Sequence, residues 1–114
     1  MFGVSTWGWR NESRDQRELI RLDLVALAAE VATVARRIEE VLDPVGSHAE
    51  AQALRARGQS YLHQALLVLS SENRFETLSD RDLLATRDAF RVLQRNILAL
   101  RREAERAGDS LPVC

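Results

Sequence analysis

Few residues in this chain are able to do chemistry, and their spacing limits what that chemistry could be. Its two histidines, His48 and His63, have no cysteine, aspartate or glutamate at ligand spacing beside them. A transition-metal site needs several such donors converging at short intervals, so no metal site is expected. Ser60, Ser70 and Ser71 have no base partner close in sequence, as an activated nucleophile would need. The carboxylate pairs Glu39/Glu40 and Asp80/Asp82 fall at helix termini or solvent faces, where charge is ordinarily solvated. No glycine-rich phosphate loop follows a strand, because no strand is read. The chain is therefore read as a non-enzyme: no catalytic, cofactor-binding or metal-ligating residue is assigned, and no cofactor or small-molecule substrate is expected.

One pair does match a catalytic pattern. Arg57 and His63 are separated by five residues, which resembles the Arg-x4–6-His motif of HEPN ribonucleases, themselves small helical proteins. The resemblance covers these two residues alone. It implies a dimeric, metal-independent ribonuclease in which both chains supply Arg57 and His63. On a helix their spacing projects the two side chains about 120° apart. The stretch Leu54-Arg55-Ala56-Arg57-Gly58-Gln59-Ser60-Tyr61 is similar to the first helix of a tetratricopeptide repeat, but no second copy follows at the required period.

Arginine is the stronger electrostatic feature. All sixteen basic residues are arginine, which fits either selection for bidentate contacts or a GC-rich coding bias. Arg10, Arg14, Arg17 and Arg21 repeat at helical spacing, and Arg87, Arg91, Arg95 and Arg102 share one side of a second helix. The latter four are a candidate charged contact face able to follow a phosphate backbone. Glu12, Asp15, Glu18 and Asp88 dilute both stripes, and solvated faces or salt bridges between subunits are the competing reading.

The first ten residues read MFGVSTWGWR and hold both tryptophans. Phe2, Val4, Trp7 and Trp9 lie close to two glycines, so the stretch is expected to be extended rather than helical. An arm of exposed aromatics must fold back on its own bundle or dock into a partner's pocket, and these four residues are the candidate docking element.

The elements that would position these residues follow from hydrophobic spacing. Ile20, Leu24, Leu27, Val31, Val34, Ile38 and Val41 form an unbroken heptad seam. A helix is expected over 14–42, capped by Ser13 with Gln16 and closed by Asp43-Pro44-Val45-Gly46. A second helix is expected from a Ser47/Glu50 capping box to about Asn73. Its seam is Leu54, Gly58, Tyr61, Ala65 and Val68, widened by Leu62, Leu66 and Leu69, and Gly58 is read as a point of close approach to another backbone or as a simply tolerated glycine. A third is expected from the Ser79/Asp82 signature to Ala107, with Leu78 and Leu83 as a hydrophobic staple and Gly108 as the stop. Its seam is Leu83, Thr86, Phe90, Leu93, Ile97, Leu100 and Ala104.

Three helices with short connections make an all-α, antiparallel up-down-up three-helix bundle with an extended N-terminal arm. The expected divisions are an arm over 1–12, a bundle over 13–108 and a tail over 109–114. The chain has 114 residues and a net charge of −1, one domain's worth with no global field toward nucleic acid or membrane. No apolar run is long enough to span a bilayer, and the start lacks a signal-peptide pattern. The lone Cys114 cannot form an internal disulfide. A cytoplasmic location, or a particle assembled in the cytoplasm, is expected.

Helices two and three carry more apolar side chains than one core absorbs, Leu84, Val92 and Leu98 among them. The expected function is thus a protein-interaction module. It would be an adaptor, assembly factor or structural subunit, as in a phage, virion or secretion-type assembly, with a protein partner, a homo-oligomer or both. The alternatives are a small nucleic-acid-associated protein and, more remotely, a HEPN-like ribonuclease.

Overall fold

A computed structural model describes the backbone of residues 2–113 and the side chains of residues 14–71 and 74–113. Three α-helices dominate: α1 (Phe2–Leu42), α2 (Ala49–Ser70) and α3 (Asp80–Ser110). Short 3-10 turns at Asp43–Val45 and Glu72–Thr77 join them, and no strand occurs among the described residues.

α1 corrects the expectation of an extended arm over 1–12. Its backbone is helical from Phe2, and Ser13 lies inside the helix instead of capping it. Starting a helix is costly but lengthening one is cheap. Gly3 and Gly8 each cost about 1 kcal/mol within a helix, and no proline precedes Pro44 to stop it. The helix ends as expected at Pro44, which occupies the first turn of a 3-10 segment.

α2 begins at Ala49 with His48 in the cap position, one residue beyond the Ser47 cap that the sequence predicts. It ends at Ser70, short of Asn73, because the chain tightens into the second 3-10 turn. α3 begins as the sequence predicts, with Ser79 Oγ accepting from the Asp82 backbone N–H at 3.1 Å. It does not stop at Gly108 but continues to Ser110 with no residue in the left-handed region.

The helices run up, down and up. Asp23, Glu30 and Val41 of α1 meet Arg91, Gln94 and Gly108 of α3 in ascending order, so these two helices are parallel. α2 runs against both: Gln59 donates to Glu39, Arg57 to Glu103, and His48 Nε2 to the Pro112 carbonyl at 2.7 Å. α1 is the spine, packing extensively on both neighbours, whereas α2 and α3 touch each other least.

The seams form the core. Leu24, Val31 and Ile38 of α1 are fully buried, with Leu83, Ile97 and Leu100 of α3 and Ala51 and Ala65 of α2. Val45 and Phe75 close the core from the two connections. Each large side chain buried this way contributes about 1.5–3 kcal/mol relative to leaving it exposed. The molecule is a rod, 71 Å long and 21 Å by 17 Å across, with a radius of gyration of 19.1 Å. A compact chain of this length would measure about 13 Å. No helix of the described residues is long and apolar enough to cross a membrane.

Candidate functional site

Arg17 is the best-organised polar group. α1 delivers it to the point where the chain turns from α2 into α3. Its Nη2 donates to the carbonyls of Phe75 at 2.7 Å and Leu78 at 2.5 Å, and its Nη1 to Asp80 Oδ1 at 2.5 Å. Those carbonyls lie at the end of a 3-10 turn, where the Phe75 carbonyl also accepts from the Leu78 backbone N–H at 3.2 Å, and Asp80 opens α3, so one guanidinium ties three segments together. Arg17 thus belongs to the arginine stripe as a structural clamp. A groove of about 360 Å³ lies over it. Arg14, Arg17 and Arg21 face Asp15, Glu18 and Glu76 around that groove, three of each sign, so its lining favours neither anion nor cation. Arg21 is bonded to Glu18 one turn away, and that bond holds the Glu18 carboxyl below its ordinary value of 4.5. Arg14 is exposed, and the side chain of Arg10 lies outside the described residues.

The candidate contact face on α3 divides in two. Arg87 and Arg91 reach across to Asp23 of α1, at 3.8 Å and 3.1 Å from the same carboxylate oxygen, and Arg87 also bonds Asp88. Arg95 and Arg102 are exposed. Glu30, also on α1, holds Gln94 at 2.5 Å, so acidic groups of the neighbouring helix run beside the stripe. Half of the four charges are therefore partly neutralised within the bundle.

Arg57 and His63 are not brought together: Arg57 pairs with Glu103 of α3 at 3.2 Å. His63 is exposed beside a shallow groove with Leu66, Leu67, Leu69 and Ser70. Among the described residues no group of three or more histidines, cysteines or acids is placed to hold a metal ion. The docking side chains Phe2, Val4, Trp7 and Trp9 lie outside the described side chains, as does Cys114.

The surplus apolar surface is where the sequence reading had most to gain. Leu84 and Val92 are exposed as expected, while Leu98 packs against the core. The exposure of Leu19 and Leu22 on α1 was not anticipated, whereas that of Leu66 fits the wide apolar face expected on α2. Leu19 is 65% and Leu22 50% exposed on α1, and Leu66 and Leu67 are exposed on α2. A spacing signal existed: Leu19, Leu22, Ala26 and Ala29 repeat 3, 4, 3 on the side of α1 turned away from its core seam. Comparison with protein-family models, with curated proteins and with solved structures finds no match to this chain.

Proposed function

We propose that this chain is a non-enzymatic helical interaction protein, acting as an adaptor, assembly factor or structural subunit of a larger complex. The observation that supports the reading is a bundle whose core is complete while Leu19, Leu22, Leu66 and Leu67 remain in solvent. Clustered large apolar side chains on a folded surface mark contact sites for other macromolecules. Its mechanism is helix packing, with α1 as a rigid carrier and the aromatic stretch Phe2, Val4, Trp7 and Trp9 as the docking element at its start. Tryptophan anchors commonly dominate the energy of such contacts.

The test is affinity capture from the source organism with the full chain, with residues 1–12 removed, and with Trp7→Ala and Trp9→Ala combined. Binding to the captured partner should weaken about a hundredfold in the double variant, a change of about 2.7 kcal/mol. The melting temperature of the free chain should hold. Unchanged binding with a melting temperature lowered by several degrees would make the two indoles a plug on their own bundle. Capture of nucleic acid in place of protein, lost steeply as salt rises, would move the function to the arginine face.

A further inference from the structure

α1 carries two seams. The inner one faces α2 and α3. The outer one is Leu19, Leu22, Ala26, Ala29 and Thr33, spaced 3, 4, 3, 4, and all five residues are exposed. The Thr33 hydroxyl is satisfied within the helix by the Ala29 carbonyl at 2.9 Å. Heptad spacing of this kind is what a second helix packs against.

The outer seam is also polarised along its length. Its large residues, Leu19 and Leu22, lie at one end and its small ones, Ala29 and Thr33, at the other. Asp15 and Glu18 flank the leucine end, and Arg36 and Arg37 flank the small end. A helix with this arrangement complements its own reverse. Laid antiparallel about a centre at Ala26, Leu19 of one copy falls opposite Thr33 of the other, and Leu22 falls beside Ala29. Asp15 and Glu18 fall beside Arg37 and Arg36. The same overlay in parallel sets leucine on leucine and like charge on like charge.

We propose that a second copy of this chain occupies the outer face of α1, antiparallel, about a two-fold axis through Ala26. The inference rests on the interaction reading and names its partner for this one surface. A two-fold contact uses the same patch on both copies, as this overlay does. The paired seam from Asp15 to Arg37 is about 35 Å long, and Ala26 and Ala29 let the two backbones approach closely. Arg37 already holds Glu40, and Arg21 holds Glu18. Both are exposed pairs within one helix, too weak to keep these charges from a partner.

Sedimentation equilibrium on the full chain tests this. The wild type should dimerise at about 100 µM protein, within the range of a small specific contact. Leu22→Asp should raise the dissociation constant at least about a hundredfold, because a charge is then buried beside Ala29 and close to Glu30 of the other copy, with circular dichroism unchanged. Arg36→Glu with Arg37→Glu should weaken the dimer about tenfold or more through like charges. Adding Asp15→Arg and Glu18→Arg should restore it, since both ends are then reversed together. That rescue is specific to antiparallel self-pairing. A wild type that stays monomeric, a Leu22→Asp dimer as tight as wild type, or a fourfold variant that fails to recover would each overturn the proposal. None of these alters capture through the aromatic stretch, so the two readings fail separately.

Discussion

Two glycines respond in opposite directions to the same added methyl. Gly58 is buried in α2 against α1, and a Cβ built there meets Ile38 Cγ2 at 3.4 Å and Ile38 Cβ at 3.9 Å. These are ordinary contacts with a side chain. Alanine in mid-helix is favoured over glycine by about 1 kcal/mol, partly through the unfolded chain, and little opposes it here. Gly58→Ala should therefore stabilise by about 0.5–1 kcal/mol and raise the melting temperature by about 2–4 °C. At Gly108 the added Cβ would sit 3.2 Å from Val41 Cγ1 and 3.2 Å from the Val41 carbonyl oxygen. The oxygen is backbone and cannot turn aside, so the last turn of α3 must lift from α1. Such overpacking costs about 1–3 kcal/mol, and the helical gain is reduced two residues from the end of α3. Gly108→Ala should destabilise by about 0.5–2 kcal/mol. Urea unfolding followed by helical circular dichroism measures both, as midpoint shifts at constant slope. Midpoints that move in the same direction would refute the assignment of contact at Gly108 and tolerance at Gly58.

Three further outcomes are expected. Val31→Asp places an unpaired charge at a fully buried position in the inner seam. It should cost at least about 3 kcal/mol and leave the chain largely unfolded in a thermal melt. Arg17→Ala removes all three bonds of the clamp and should lower stability by about 1–3 kcal/mol in urea unfolding. Arg17→Lys should recover only part of this, because one ammonium cannot reproduce the planar fork. Glu18 should titrate below 4.5 by carboxyl NMR and return toward 4.5 in Arg21→Ala. Its folded value is the lower one, so its pairing contributes above about pH 4.5 and is lost as pH falls through the folded value, a small effect for an exposed group.

The inner seams were legible because burial on a helix follows directly from 3-4 spacing. The seam residues between Leu24 and Ile38, and between Leu83 and Ala104, are buried or partly buried as that spacing requires. Caps were less legible, since a Ser-x-x-Gln or Ser-x-x-Glu pattern acts only where a helix has reason to begin. Ser79 follows a turn and caps, whereas Ser13 lies where α1 is already running. The glycines exchanged roles. Gly58, read as a backbone contact, meets only the Ile38 side chain, and Gly108, read as a stop, is where α3 nears the Val41 carbonyl. Gly108 and Val41 are more than sixty positions apart, as are Arg17 and Asp80 or Asp23 and Arg91, and a helical repeat does not encode such contacts. The outer seam went unread because Leu19 and Leu22 alternate with charged residues and are easily absorbed into a solvated face.

Among the described residues, no polar or charged side chain is buried in the core. Leucine, isoleucine, valine and alanine attract one another almost equally at every turn. An all-apolar seam therefore does little to choose between its native alignment and one displaced by a heptad, a choice that a single buried asparagine often makes in coiled coils. In this bundle axial alignment is enforced from the periphery. A slide of seven residues would strand Arg17 from the Phe75 and Leu78 carbonyls, part Asp23 from Arg87 and Arg91, and set a bulkier residue in place of Gly108 against Val41. The surface arginines thus act as detents on a smooth shaft. Substituting them should broaden the set of helix alignments that the chain samples before it reduces helix content.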